Sequence, residues 1–373
     1  MKHLASHAQR APACPNSSFV LQSTEYTGNG SATADLGAVL DGLPFPADAS
    51  TLTVAARRVV AHCPSLPQPG GGQTLKRWRF LAALAARDLP LVKIYEAHAD
   101  AQAILAELGY SSRPTEANAE QSTEVELWAV WAARSSHGEL QFSHQEGRNV
   151  RLSGTKSWCS GATFVTHALV TCVDDDGRDW LAILPMDQAG VRVSSQGWEA
   201  VGMSVTESVD VELHDARATL VGAESSYLHR PGFWHGGAGI AACWFGAAAA
   251  LATRLRAAAA RRDDPHLHAH LGDADAALIA ARAFLRESAC TIDAAPDRDP
   301  QLIALRTRAV VERAVECVSR ACARGLGAGP LCRDAWFAHM SADLPVFVRQ
   351  SHAEHDLAEV GRALRTSRED WQP

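Results

Sequence analysis

Gly154-Thr155-Lys156-Ser157-Trp158-Cys159-Ser160-Gly161 is the stretch on which the reading of this chain turns. It places an indole at 158 and a hydroxyl at 160, and residues two apart on an extended segment share a face. On spacing alone, a core Trp and a surface Ser in a barrel satisfy the same pattern. The surroundings are strand-like: residues 125–132, 149–152, 167–173, 179–184, 191–193 and the alternating run 209–213. Turn signals separate them, among them Asp174-Asp175-Asp176-Gly177 and Gln188-Ala189-Gly190. Short strands this closely spaced, with no helix between them, predict a compact antiparallel barrel or sandwich and exclude a parallel sheet with crossover helices.

On both sides the period changes to that of a helix. Upstream, residues 52–62, 74–87 and 91–108 carry helical patterns, with an evident loop at 65–73. In the third of these, Leu91, Ile94, Tyr95, Ala101, Ile104, Leu105 and Leu108 form one stripe, and Gly109 supplies a stop. Downstream, long helices are expected near 239–261, 273–293, 300–324 and 345–365, broken at Pro265, 296–300 and 325–330. Four helices of that length fit a bundle. The expected fold is therefore α+β and multidomain. An N-terminal helical domain (1–120, loosely ordered at its start) precedes a central antiparallel β-barrel domain (121–225) and a C-terminal four-helix bundle (226–373).

Composition narrows the function. The 373 residues are 47% hydrophobic and 21% charged, so most of the chain is expected to fold into packed domains. A formal charge of −7 argues against a broad basic face for nucleic acid. The nine cysteines form no CxxC pair and read as free thiols in a reducing cytoplasm. The first eighteen residues have no apolar core of a secretory signal. Residues 236–253 carry no formal charge, but they are mostly Ala and Gly and are followed by Arg254 and Arg256. That predicts a buried helix and no membrane span.

The order of elements, together with particular residues, resembles the acyl-CoA dehydrogenase superfamily. Residues 154–161 are similar to that family's G-x-K-x-W flavin strand, and residues 198–213 to the end of its β-domain. Residues 242–260 resemble the first long bundle helix, and residues 325–334 the Gly-rich turn that ends in Arg-Asp. Residues 88–109 resemble the more divergent oxidase- and monooxygenase-like members. The resemblance implies FAD between the β-domain and the bundle, aided by a second subunit in a homodimer or homotetramer; FMN replaces it if the chain is monooxygenase-like. Trp158 would cover one flavin face, Ser160 would meet the N5 edge, and Cys159 lies between them.

Departures from the family pattern bear on the chemistry. Trp131 and Ala132 stand where a threonine and an acid are expected, so Val130, Trp131 and Ala132 would serve the flavin through backbone groups. The run that follows is shortened to Ala133-Arg134-Ser135-Ser136, leaving Arg134 or Ser135 to reach phosphate. The resemblance places Arg262, beside Arg261, at a neighbour's pyrophosphate, and Gly325 and Gly327 near adenosine. Asp263 and Asp264 follow that arginine directly.

The α-proton base of the family lies about nine residues after Arg333, which is Ala342; Asp343 is adjacent and is the candidate catalytic base. Its simpler reading is a helix N-cap before Leu344-Pro345. Glu96 is a second candidate, against a solvated helix face. His266, His268 and His270 read as surface histidines and not as a metal site, and His352 as a group facing the substrate side.

The implied activity is α,β-dehydrogenation of an acyl-CoA or acyl-carrier thioester, passing hydride to flavin N5 and electrons to an acceptor or O2. A flavin monooxygenase or oxidase on the same fold is the alternative, and a non-catalytic homologue the third.

Overall fold

The computed structural model describes residues 48–110, 125–134 and 138–365, together with positions 39, 42, 43, 46 and 371, and leaves out the side chains of 144 and 145. Three helices come first: α1 (Ala49–His62), α2 (Thr74–Arg87) and α3 (Leu89–Glu107). Asp48 starts α1 with a reciprocal capping box, its carboxylate accepting from the Thr51 N–H at 2.8 Å. Asp88 caps α3 by accepting from the Leu91 N–H at 2.7 Å, with Pro90 in the first turn.

The single apolar stripe expected for α3 understates it. Fourteen of its nineteen residues are buried, Glu96 and His98 among them, because the helix runs between the sheet on one side and the other helices on the other. Glu96 is accordingly not on a solvated face. It is 6% exposed, and its carboxylate receives a hydrogen bond from Lys93 Nζ at 2.6 Å.

Seven strands follow: β1 (Trp128–Trp131), β2 (Gln141–Glu146), β3 (Asn149–Cys159), β4 (His167–Val173), β5 (Asp179–Pro185), β6 (Val191–Val193) and β7 (Val209–Val221). Pairings β4–β2, β2–β3, β3–β7, β7–β5 and β5–β4 form a closed circuit, with β1 added beside β4 and β6 beside β7. The barrel is mixed where an antiparallel one was expected. β1 runs parallel to β4, with Trp128 opposite His167, and β2 meets β4 in parallel at Gln141 and Val173. Its interior takes Leu152, Cys172, Ala182, Val211 and Leu220, all buried.

After a short helix α4 (Ser226–His229) come α5 (Pro231–Ala259), α6 (Pro265–Ala294) and α7 (Gln301–Leu326), then α8 (Ala328–Arg333), α9 (Ala335–Phe347) and α10 (Glu354–Leu364). The fourth bundle helix expected near 345–365 is thus two helices. Pro345 lies in the last turn of α9, and the break falls later, at the 3-10 turn Val348–Gln350 and at Ala353, whose φ is +45°.

Helix α5 is long and apolar enough to cross a membrane by composition. It is nevertheless packed against α2, α6 and α7, with 67% of its most apolar window buried. Its small residues permit that contact: a Cβ added at Gly246 would sit 2.1 Å from the Ala82 carbonyl oxygen of α2. The eight described cysteines are all free thiols, five of them buried; Cys14 lies outside the described residues.

Candidate active site

Strand β3 does not end as a regular strand. Its register against β7 shifts between Lys156 and Cys159, and within that bulge Trp158 has φ +64°. A left-handed aromatic residue costs about 1–3 kcal/mol and persists only where its surroundings impose it. The bulge turns the indole outward. Trp158 is 57% exposed, with Trp198 edge-on to it at a ring distance of 6.0 Å. Cys159 points inward. Its thiol is buried, burial pushes its pKa up, and its Sγ donates to the Lys156 carbonyl. Only its backbone is available to a ligand on the Trp158 face.

Ser160 is half-buried, and its hydroxyl lies 2.7 Å from that of Ser208. Trp131 reaches it from β1, the indole N–H donating to the Ser160 carbonyl at 3.2 Å. The structure therefore brings Trp131, Trp158, Cys159 and Ser160 into one cluster, with Val130 and Ala132 half-buried beside Trp131. Arg134 is exposed and 3.7 Å from Glu139, and Ser135 lies outside the described residues.

The next loop joins the barrel to α9. A Cβ added at Gly202 would lie 2.0 Å from the Ala342 carbonyl oxygen, so loop and helix are in direct backbone contact. Asp343 sits one residue further, inside α9. It does not cap a helix; that position belongs to Asp334, which accepts from the Phe337 N–H at 3.2 Å. Asp343 is 5% exposed and its carboxylate accepts from the Met203 N–H. Burial raises its pKa, while the Met203 hydrogen bond opposes the rise.

Asp88 lies close enough to Asp343 for the two to repel. Burial first, and Asp343 second among the raising causes, push Asp88 up to about 7. The nearness of these two acids was not legible in the sequence, where they stand far apart.

Arg262 and Gly325 meet each other, the guanidinium donating to the Gly325 carbonyl at 3.3 Å; Gly327 ends α7 with φ +67°. The acids after Arg262 divide their roles: Asp264 caps α6 through the His266 and Leu267 N–H groups, and Asp263 is exposed. His266 and His268 are exposed on the first turn of α6. Among the described residues no group of three or more His, Cys, Asp or Glu side chains is placed to hold a metal ion. His352 is exposed, 3.3 Å from Asp356, in a polar patch with Glu312 and Arg349 that is remote in sequence from the Trp158 cluster.

Lys156 was not singled out as a candidate, yet it is 1% exposed inside the barrel. Its ammonium donates to the Thr171 hydroxyl at 2.7 Å, and burial lowers its pKa. A separate cavity of about 400 Å³ lies where α2, α5 and α9 meet, lined by Ala86, Arg87, Arg254, Ala335 and Trp336.

No protein-family model matches the sequence, and no curated protein is similar to it. Solved structures are similar in shape. The dibenzothiophene monooxygenase TdsC from Paenibacillus sp. A11-2, solved with FMN and indole, superposes with a TM-score of 0.69 at 17% identity, covering 88% of this chain and 96% of that one. The fold is that of the acyl-CoA dehydrogenases. KijD3, solved with FMN and a dTDP-linked amino sugar, shares this fold with a TM-score of 0.71 at 17% identity over 90% of this chain and 93% of that one. The methanesulfinate monooxygenase MsuC from Pseudomonas fluorescens gives 0.66 at 18% identity, over 80% and 84%. One loop, residues 198–208, meets both the Trp158–Ser160 cluster, through Trp198 and Ser208, and the α9 seam, through Gly202 and Met203.

Proposed function

We propose that this chain is a flavin-dependent monooxygenase that acts with reduced flavin and O2. The observation that carries the proposal is the anchoring of Asp343. The carboxyl nearest the place of an α-proton base is turned onto the Met203 backbone and held there in a buried seam. A thioester dehydrogenase needs a free carboxylate beside its substrate, whereas oxygen transfer makes no such demand. Two proteins of the same fold that carry the name of monooxygenases, TdsC, solved with FMN, and MsuC, support the same reading. Their names carry sulfur substrates and KijD3 carries an amino sugar, so the substrate class proposed here is a small molecule with an oxidisable sulfur or nitrogen.

The residues present fit a flavin. The strained, outward Trp158 offers a flat apolar surface, and Ser160 follows it past the end of β3, its N–H donating to the Trp158 carbonyl at 3.1 Å. Backbone groups of Trp131 and Ala132 would serve the pyrimidine carbonyls. A reduced flavin would supply the two electrons that oxygen activation requires. The chain's own part is to cover one ring face, to orient the N5 edge and to keep water from the seam. FMN suits the site better than FAD, because Arg262 and Gly325, which the resemblance assigns to a neighbour's pyrophosphate and to the adenosine half of FAD, bond to each other. A homodimer or homotetramer remains part of the proposal.

The test is isotopic. The chain is supplied with photoreduced FMN, labelled O2 and a panel of thioethers, sulfinates and primary amines, and label is sought in the product. If acyl-CoA thioesters instead bleach bound flavin without O2, and Asp343→Asn abolishes that bleaching, the chain is a dehydrogenase and Asp343 its base. Trp158→Ala is expected to weaken FMN binding roughly 10-fold, read by equilibrium dialysis. The melting temperature should hardly change, because the indole is largely outside the core.

A further inference from the structure

Three hydroxyls behind the Trp158 face form a chain whose direction can be worked out. Thr206 Oγ1 lies 2.7 Å from the Met203 carbonyl oxygen. A carbonyl oxygen only accepts, so the single hydroxyl proton of Thr206 is committed to it. Ser208 Oγ lies 2.9 Å from Thr206 Oγ1, and since Thr206 has no proton left, Ser208 donates. Ser160 Oγ lies 2.7 Å from Ser208 Oγ, and since the Ser208 proton is used, Ser160 donates.

Thr206 is fully buried and Ser208 is 5% exposed, so solvent does not offer either proton another partner. The origin of the chain is itself fixed. The Met203 N–H is held by Asp343, Met203 has φ +58°, and the Thr206 carbonyl accepts from the Gly161 N–H at 2.7 Å. Ser160 therefore presents lone pairs, and no proton, to whatever lies on its open side.

That polarity distinguishes the two redox states of a flavin. N5 of oxidised flavin is an acceptor and would face another acceptor across the contact. N5 of reduced flavin carries a hydrogen and can donate to Ser160. An unmatched polar contact in a part-buried site costs enough to separate the two states by a factor of ten or more. We infer that Thr206 and Ser208 are positioning residues that lock Ser160 as an acceptor and so make this site selective for reduced flavin. The inference rests on the flavin reading above and goes beyond it, because it assigns the preference to two residues that touch no ligand.

The experiment uses the full chain and FMN. Dissociation constants for oxidised and photoreduced FMN are measured anaerobically by tryptophan fluorescence, and the midpoint potential of bound FMN is measured separately. The wild-type chain is expected to bind reduced FMN about 10-fold more tightly, which raises the potential of the bound two-electron couple by about 30 mV. Thr206→Val keeps the shape of the side chain and removes its hydroxyl. The Ser208 proton can then turn to Ser160, the Ser160 proton is released toward N5, and oxidised FMN should bind more tightly than in the wild type.

Ser208→Ala should act in the same direction without disturbing the Met203 turn. A gain in oxidised-FMN affinity is not a result that loosened packing produces. Equal affinity for both redox states in the wild type, or a ratio unchanged in both variants, overturns the inference and leaves the flavin site standing. Failure to bind FMN in either state removes the flavin reading and the inference together.

Discussion

Gly202→Ala should cost about 3 kcal/mol of stability, because the new Cβ would stand 2.0 Å from the Ala342 carbonyl oxygen and 2.6 Å from its carbon. Neither atom belongs to a flexible side chain, so α9 as a whole must retreat from the barrel. The retreat would also pull Asp343 from the Met203 N–H, and that contact sets the turn from which the Thr206–Ser208–Ser160 chain starts. The urea midpoint is expected to fall, and the preference for reduced over oxidised FMN should fall with it.

Gly272→Ala is the matched control. Gly272 is exposed within α6, and a Cβ there meets nothing within 4 Å, so the substitution should stabilise by roughly 0.5–1 kcal/mol. If Gly202→Ala melts like the wild type, the loop and α9 are not in the contact described.

The second large effect is on pH dependence. Asp88 is buried at the α2–α3 junction, and desolvation raises its carboxyl from 3.8 to about 7. The Leu91 N–H opposes the rise, Asp343 adds to it and Arg87 reduces it. The sign follows from proton binding. Between pH 3.8 and 7 the native state holds this proton and the unfolded chain does not, so raising the pH favours unfolding until the loss is complete above 7. At about 1.4 kcal/mol per pKa unit the full loss is on the order of 4–5 kcal/mol.

Asp88→Asn retains an oxygen that accepts from Leu91 and cannot ionise. Denaturation midpoints measured between pH 4.5 and 8 should fall with pH in the wild type, and fall much less in the variant. Parallel curves would show that Asp88 does not carry the dependence.

The element types were largely legible, and the failures have local causes. β4 and α2 show their character plainly, as a continuous apolar run bounded by turns and as an amphipathic period between a loop and a cap. β2 was missed because its sequence, Gln141–Glu146, is mostly polar. β3 reads in two pieces, the run 149–152 and the flavin-strand resemblance at 154–161; in the folded chain they are one strand, with Lys156 reaching Thr171 inside the barrel. The split of the last helix is not marked by glycine, and Pro345, taken as a start, is tolerated in the final turn of α9.

At the candidate site, the indole and the hydroxyl were singled out by the resemblance of residues 154–161 to a flavin strand and not by their spacing, which the left-handed Trp158 and the end of β3 at Cys159 break. The bulge that turns one outward, and the two hydroxyls that fix the proton of the other, depend on β7 and the loop before it. Asp343 could be found by position, but its partner is a backbone N–H 140 residues away in the chain, and no local pattern records that.

The crossing of α2 and α5 at Gly246 has a consequence for biosynthesis. The Ala82 carbonyl rests against a helix that emerges from the ribosome more than 150 residues later, so α2 cannot bury the side that meets α5 until that helix has been translated. Nascent chains stalled before that helix should be easily cut by protease and bound by chaperones, and chains released just after it should abruptly become resistant.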